Sequence, residues 1–575
     1  MPTLSKYWLR TAAQEHEAAR NPGPLRRFQQ GFERGFERVR NSYKGLLETV
    51  LEHRALFISG FLGFAVLSSL IYPFLGRNFF PDVDAGQIKL HIRGQTALRV
   101  EDTAVLVDHV EAALREVIPP QEIANMVDNI GLPVSSINLT YGNSGTIGSS
   151  DADILVSLTP EHSPTAEYIR KLRLRLPQEF PSVVFGFLPA DIVSQILNFG
   201  VPAPIDIQVS GGSPKNHDIA NALLAELRHV PGLVDLRLGE VFNQPELRVF
   251  TDRSRAQQLG ISQHDVANNL LLTLSGSGQI APTFWLNFDT GLSYPLVVQA
   301  PQYRMTSLQD LQNLPVTTTT NQQQILGGLA SITRNMGPAV VVHRDSTNII
   351  DIFGAAQDRD LGSINSDMQA IIAKYEKDLP KGTHITVRGQ VQTMTASYTG
   401  LAIGVIGAIV LVYLLIVINF QSWTDAFIII TALPAAVAGI AWMLLITHTT
   451  LSVPALTGAI MCVGVATANS ILVVSFARDL LDHGAAPLQA AYEAGYTRFR
   501  PVLMTALAMI IGMLPMSLGV GDGGEQNAPL GRAVIGGLLF ATIATLVFVP
   551  TVFAAVHGRR GNKPAAHNLT PSVAT

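Results

Sequence analysis

"AFIIITALPAAVAGIAWMLLITHTTLSVPALTGAIMCVGVATANSILVVSFA" runs from Ala426 to Ala477 without any Asp, Glu, Lys or Arg. A bilayer core ~30 Å thick takes roughly 20 apolar residues to cross in a helix that rises ~1.5 Å per residue. This run is too long for one crossing, and the polar break "HTTLS" (His448 to Ser452) divides it in two. Four further segments qualify: Ala55 to Gly76, Tyr398 to Phe420, after which Asp425 is expected to close the turn, Pro501 to Gly521 and Ala533 to Val556. With 47% hydrophobic and 15% charged residues, the chain is too apolar for an ordinary soluble protein of 575 residues. Its net charge of -4 argues against nucleic acid as a partner, since replacing phosphate counterions takes a surplus of Lys and Arg. The one cysteine, Cys462, excludes a disulfide framework.

Ten Lys and Arg lie at or before Arg54, and the loop after the fourth segment carries Arg478, Arg498 and Arg500. Such an excess marks the cytoplasmic side, so six spans are expected to place both termini inside and a loop of roughly 310 residues, Arg77 to about Gln390, outside. Before the first span, Phe28, Phe32, Phe36, Val39, Tyr43 and Val50 share one helical face. This face suits either a helix lying on the inner membrane surface against lipid or one packed on the bundle, and amphipathicity does not separate the two.

In the loop the pattern changes to strands alternating with amphipathic helices. "DADILVSL", a helix after Ser163-Pro164, and "VVFGFLP" rhyme with "APIDIQVSG", a helix after Ser213-Pro214, and "LVDLRLGE". Each Ser-Pro is expected to cap its helix, with the proline in the first turn. Further strands "GQIKLHIRG" and "PELRVFTD", and helices at Val100 to Val117, Ser262 to Leu274 and Ile364 to Leu379, extend the scheme to two ferredoxin-like βαβ subdomains. Ser262 and Asp265 read as a capping box. The loop holds no Walker-type glycine motif, no HExxH and no GxSxG elbow, and its histidines and methionines are scattered. Transport or a structural role is therefore expected rather than an enzyme, with no cofactor or metal.

One span, a large external loop of paired βαβ modules and five more spans resemble one half of a resistance-nodulation-division (RND) transporter. "NFFPDVDAGQI" (Asn78 to Ile88) is similar to the segment after the first span of that family's second half, and "ELRVFTDRSRAQQLGISQHDVANNL" (Glu246 to Leu270) to its porter strand and helix. "ANSILVVSFARDLL", "TRFRPVLMTALAMIIGMLPMSLG" and "PLGRAVIGGLLFATIATLVFVPTVF" resemble its last three spans. The resemblance points to the AcrB-like hydrophobe/amphiphile branch rather than the heavy-metal branch. It implies a trimeric inner-membrane antiporter that exports small hydrophobic or amphiphilic compounds against proton influx, with a periplasmic adaptor and an outer-membrane channel.

The expected fold is thus an α-helical bundle of six transmembrane helices plus a large α+β periplasmic region of ferredoxin-like porter subdomains and a docking insertion. Its expected segments are a cytoplasmic stretch with a surface helix at 1–54 and the first span at 55–76. Porter subdomains follow at 77–200 and at 201–275 with 363–390, with docking at 276–362. Five spans occupy 391–557 and a tail 558–575.

Family members are about twice this length and keep their proton-accepting membrane acids in the half this chain does not resemble. An N-terminal half-transporter is therefore an expected partner. No Asp or Glu is expected in the six spans. The family's membrane lysine falls on Ala468, so the resemblance carries the proton relay over only in part, as Arg498 and Thr505, with Thr467 and Asn469 as neutral substitutes. The bland reading of Thr467 and Asn469 is interhelical hydrogen bonding, and that of Arg498 a cytoplasmic anchor. Tyr141, in "INLTYGNSGTIGSSDAD", is the weak candidate for an aromatic substrate contact. Two other readings stay open: a SecD/SecF-type protein-export accessory, and a non-functional fragment of a disrupted pump gene.

Overall fold

The computed structural model describes residues 24–133, 145–198, 200–317, 323–521 and 523–560. Tyr141 lies outside them. Six helical segments are long and apolar enough to cross a membrane: Arg54–Phe74, Gln390–Phe420, Trp423–Ile446, Val453–Asp482, Pro487–Leu518 and Gly524–Gly558.

Helix α1 (Pro24–Glu52) precedes the first of these and packs on the bundle rather than standing free. Leu47 and Leu51 are buried, Tyr43 stacks on Phe499 at 4.6 Å between ring centroids, and Phe36 lies beside the same ring. The Tyr43 hydroxyl donates to the carbonyl oxygen of Leu546 at 2.8 Å. Leu546 sits in a π-helical turn, Ala544–Phe548, where the changed backbone pitch gives that carbonyl an added partner. Helix α2 (Arg54–Ser69) opens the first span, whose outward face is apolar and exposed at Leu56, Val66 and Leu67.

The first extramembrane module runs β1 (Gln87–Arg93), α3 (Val100–Val117), β2 (Ile123–Ile130), β3 (Asp151–Leu158), α4 (Thr165–Glu179) and β4 (Val184–Leu188). Its four strands pair antiparallel in the order β2-β3-β1-β4. Period-two alternation sends Ile88, Leu90 and Ile92 into the core with Val110, Leu114 and Leu172, and turns Lys89, His91 and Arg93 to the opposite face. Helix α4 begins at Thr165 without a side-chain cap. The expected cap, Ser163, spends its backbone N–H and hydroxyl on the Glu122 carboxylate instead.

The second module begins with β5 (Ile205–Ser210), α5 (Asn216–Leu227) and β6 (Leu233–Leu238). Here too the helix starts past the Ser-Pro, and Ser213 Oγ accepts from the Lys215 N–H. The chain then leaves the sheet for an insertion: β7 (Gln244–Thr251), α6 (Gln263–Ser275) with its Ser262/Asp265 capping box, the hairpin β8 (Thr283–Leu286) and β9 (Ser293–Leu296), and β10 (Ala330–Gly337), which pairs β7 along its length. After β11 (Val342–Arg344) the chain returns through β12 (Thr347–Ala356), α7 (Leu361–Tyr375) and β13 (His384–Gly389). Strand β12 is the spine of the second sheet, pairing β5, β6 and β11, while β13 lies on the far side of β5.

The strand pairing moves the expected boundaries at both ends. Gln244–Thr251 and α6 belong with the insertion, whose own core gathers Ile261, Val266, Leu311 and Leu326, and Thr347–Ala356 belongs to the module. The sequence rhyme also acquires a physical meaning. Both rhyming units are strand–helix–strand pieces whose two strands admit a third between them, β1 in the first module and β12 in the second.

The remaining helices are α8 (Gln390–Phe420), α9 (Trp423–Ile430), α10 (Leu433–Ile446), α11 (Val453–Asp482), α12 (Pro487–Leu518), α13 (Ala528–Ile543) and α14 (Val549–Arg560). Helices α10 and α13 meet at Gly439 and Gly536, where a Cβ on either residue would run into the other's carbonyl oxygen. Glycine is required there because backbone touches backbone.

Candidate functional site: a neutral membrane cluster and an inter-module cleft

Along α11, residues 466, 467, 469, 470, 473, 474 and 477 are buried against α12, α13 and α14, because small residues on that face let the helices close up. The polar groups on this face hydrogen-bond to their neighbours. Asn469 Oδ1 accepts from Thr505 Oγ1 of α12 at 2.9 Å. Ser470 Oγ and Thr545 Oγ1, the latter in the π-helical turn, lie 3.0 Å apart. Thr467 bonds back to the carbonyl of Val463 at 2.8 Å in its own helix. The Arg498 guanidinium lies over the Phe476 ring, 4.8 Å from its centroid, with Nε buried and without a hydrogen-bond partner. The structure therefore joins Asn469 to Thr505 and leaves Thr467 and Arg498 outside that pair. Ser470 and Thr545 form a second bridge that spacing alone does not reveal.

The expectation of acid-free spans is corrected: the helical segments extend past the uncharged runs to take in Asp425, Asp479, Asp482, Glu493 and Glu525, and of these five Asp425 alone is buried. Asp425 does not close the turn before the third span; Ser422 caps that helix and Asp425 stands in its first turn, its N–H donating to Ser422 Oγ. It is 3% exposed, receives Arg478 Nη1 at 2.8 Å and has His557 Nε2 at 3.2 Å. One carboxylate thus ties the starts and ends of three spans. The cap was the signal for it, because Ser-x-x-Asp before an apolar run marks a helix start.

Outside the membrane segments, the two modules meet through their polar sheet faces. Arg93 pairs with Asp151 at 2.9 Å and donates to the carbonyls of Leu238 and Gly239 in the second module. Arg173 of α4 grips Asp235 with Nε and Nη2, at 3.0 and 2.6 Å, and gives Nη1 to Gln357. His91 Nδ1 sits 2.8 Å from Asp153 Oδ1 in complete burial, which holds the imidazole pKa below its usual value despite the carboxylate. Burial likewise lowers Arg237, to about 10, against the pull of Asp235.

Beneath this joint lies a cavity of about 510 Å³, between the modules and the segment that follows the first span. Phe79, Phe80, Phe187 and Leu188 supply apolar wall, and Asp82, Lys89, Asp191 and Arg173 supply charge. Thr450, in the turn between the third and fourth spans, forms part of its floor, so the cavity sits where the modules stand on the bundle. It has the size and mixed lining of a small-molecule site. Among the described residues no group of three His, Cys, Asp or Glu side chains is arranged to hold a metal ion.

Residues 1–557 match the model of the AcrB/AcrD/AcrF family. The nickel and cobalt resistance protein CnrA of Cupriavidus metallidurans is 27% identical over 546 residues, which are 91% of this chain and 48% of that protein. The antibiotic efflux pump membrane transporter ArpB of Pseudomonas putida is 24% identical over 548 residues, 94% of this chain and 50% of that protein. The crystal structure of a heavy metal efflux pump superposes with a TM-score of 0.77 at 22% identity, covering 91% of this chain and 52% of that one. The chain spans about half the length of the curated relatives it matches. Relatives named for metal resistance and for drug efflux both match, so the narrower AcrB-like hydrophobe assignment does not follow from kinship. What kinship does establish is that the chain belongs to the AcrB/AcrD/AcrF family of RND efflux transporters, whose homologues are inner-membrane proteins.

Proposed function

We propose that this chain is the membrane subunit, or half-transporter, of a proton-driven RND efflux pump that captures small amphiphilic compounds in the cleft between its two extramembrane modules. The observation that carries the reading is the cleft's mixed lining: the rings of Phe79, Phe80 and Phe187 beside the charged side chains of Asp82, Lys89, Asp191 and Arg173, with Thr450 of the turn between the third and fourth spans at its floor. An amphiphile leaving a membrane surface presents an apolar body and a charged end, and this lining offers a partner for each. In this reading six spans cross an inner membrane with both termini cytoplasmic, the ferredoxin-like porter modules and the docking insertion are periplasmic, and α1 rests at the lipid surface while packing on the bundle.

The neutral pair Asn469–Thr505 would hydrogen-bond to protonatable groups supplied by an N-terminal half, with Thr467 and Arg498 flanking it. The exposed hairpin carrying Trp285, Phe288 and Tyr294 suits assembly with further copies in a trimer and contact with an adaptor and outer-membrane channel. A metal cargo is the second reading, favoured by the naming of CnrA and other relatives as metal resistance proteins.

The test uses efflux-deficient cells carrying the chain with or without an N-terminal half. Expected are low accumulation of a cationic amphiphilic dye only when both halves are present, and a several-fold rise with Phe80→Ala. Equal accumulation with and without the partner half would remove the partner requirement. Gained nickel or cobalt resistance, with dye export unmoved by Phe80→Ala, would replace the amphiphile by a metal ion.

A further inference from the structure

The face of the second sheet that looks away from its helices holds three buried acids, Asp206, Asp351 and Glu240, none of them in an ion pair within 4.0 Å among the described residues. Ile205, Ile207 and Val209 of β5 enter the core, so Asp206 and Gln208 point the other way, and Asp351 of β12 stands opposite Gln208 in register. Asp206 is 1% exposed, Glu240 4% and Asp351 8%. The Gln208 amide nitrogen donates to Asp206 Oδ2 at 2.8 Å and to Asp351 Oδ1 at 2.9 Å, which sets two carboxyl groups against one nitrogen. Glu240 closes the third side by accepting the Asp351 backbone N–H at 3.0 Å.

Asp206 Oδ1 has no hydrogen-bond partner, although it is sealed from solvent. A carboxylate left in that state has lost its hydration for nothing, whereas a protonated oxygen carries no charge to hydrate. The cations around the site do not supply the missing contact. Arg344 gives Nη1 to the Gln208 side-chain oxygen at 3.0 Å, and Arg93 is engaged by Asp151 and the carbonyls of Gly145, Leu238 and Gly239. Arg388 faces Asp206 across the ladder without an ion pair to it, and Arg237 lies over Phe353 at 5.3 Å.

We propose that Asp206 and Asp351 form a proton-binding site outside the membrane, holding one proton between them, and that losing it loosens the sheet edge on which the two modules join. The link to the joint is short: Glu240 follows Gly239, whose carbonyl receives Arg93 from the first module. Release is a simple ionisation. The carboxyl O–H bond breaks, the proton passes to water, and the pair goes from one negative charge to two in a buried site beside Glu240. Burial, with Asp351 next, pushes Asp206 up to about 8, and burial, again with Asp351, pushes Glu240 up to about 7. A carboxyl raised in the folded state stabilises fully below its unfolded pKa near 4, and that contribution is lost as pH climbs to about 8.

The full chain in lipid nanodiscs tests this by hydrogen exchange at pH 6 and pH 9, corrected for intrinsic rates. Protection of Ile205–Ser210 and Thr347–Ala356 is expected to fall roughly tenfold or more between them, as one unit of differential titration requires. Asp206→Asn, which keeps the shape without the ionisation, is expected to shrink the fall to the part that Glu240 contributes. Aspartate labelled with ¹³C should show a protonated carboxyl infrared band at pH 7 that disappears in both Asp206→Asn and Asp351→Asn. An equal fall in the Asn variant, absence of the band, or protection of these strands by micromolar Zn²⁺ in place of a proton would each overturn the proposal.

Discussion

Where α10 crosses α13, backbone meets backbone at Gly439 and Gly536; where the first module meets the second, Arg173 grips Asp235 through three nitrogen–oxygen contacts. The first contact works by exclusion, since nothing larger than hydrogen fits, and its energy is dispersion summed over close atoms. The second works by attraction between groups that are costly to bury, and it holds only while each keeps its partner. A joint of the first kind resists any displacement. A joint of the second kind can part if water enters to solvate the ions, which is the behaviour a substrate cleft between two modules needs.

Gly536→Val should break the first joint outright. The added carbons meet the Gly439 carbonyl oxygen and the Met443 side chain, and the helix backbone cannot shift without parting α10 from α13. Overpacking costs about 1–3 kcal/mol even when flexible side chains can move, so a loss at or above about 3 kcal/mol is expected here. Loss of monodisperse protein in detergent, together with a sharply lowered melting temperature, would report it. A variant melting like the parent would mean that this crossing is not tight.

Arg173→Ala should cost less, about 2–3 kcal/mol, because the guanidinium keeps some access to solvent while Asp235 is left buried with only the Phe187 N–H. The damage should be local: faster exchange in α4 and β6, with the spans unchanged. Asp235→Ala added to Arg173→Ala should recover part of the loss, and strictly additive costs would show that the pair is not coupled.

The contrast between the two joints was only half legible in the sequence. Charge-free apolar runs mark the helices long enough to cross a membrane, and strand–helix–strand rhymes mark the two modules, because both signals are local. Which strands share a sheet is not local, and so β7 and β12 change places between module and insertion once pairing is known. "IDIQV" displays the alternation that turns Asp206 and Gln208 to one face, but nothing in it says that the face is covered. Asn469 is visible as a polar residue in an apolar helix, whereas its partner Thr505, 36 residues away, depends on how α11 and α12 cross. Asp425 was placed one turn wrong because the apolar run was counted from its first uncharged residue rather than from the Ser422 cap.

The two modules should also titrate in opposite directions. His91 is neutral and buried, with its pKa held down by burial, so its contribution is present above the unfolded value near 6.5 and is lost as the pH falls below it. The Asp206 pair loses its contribution on the alkaline side. Exchange of β1 and β3 should therefore speed up toward acid and that of β5 and β12 toward alkali, each by up to about 1.4 kcal/mol per pH unit. His91→Gln should flatten the acid limb alone. If instead all four strands show both limbs, and His91→Gln flattens the acid limb in both modules, the two modules unfold as one unit and the joint is tighter than its chemistry implies.

The smallest effect belongs to the membrane cluster. Asn469→Ala removes the acceptor of Thr505, whose hydroxyl keeps its bond to the Val502 carbonyl, so the lost bond is worth about 0.6–1 kcal/mol and the bundle should melt within a few degrees of the parent. That small structural cost makes the variant informative about coupling. A side chain that only packs should leave proton-dependent export by the reconstituted two-half pump unchanged. One that orients an acid of the other half should shift the pH dependence of export without changing how much folded protein is made. Thr505→Val, which keeps the shape and removes the hydroxyl, separates the two further: an identical shift in both variants assigns the effect to the hydrogen-bonded pair, whereas a shift in Asn469→Ala alone assigns it to the carboxamide.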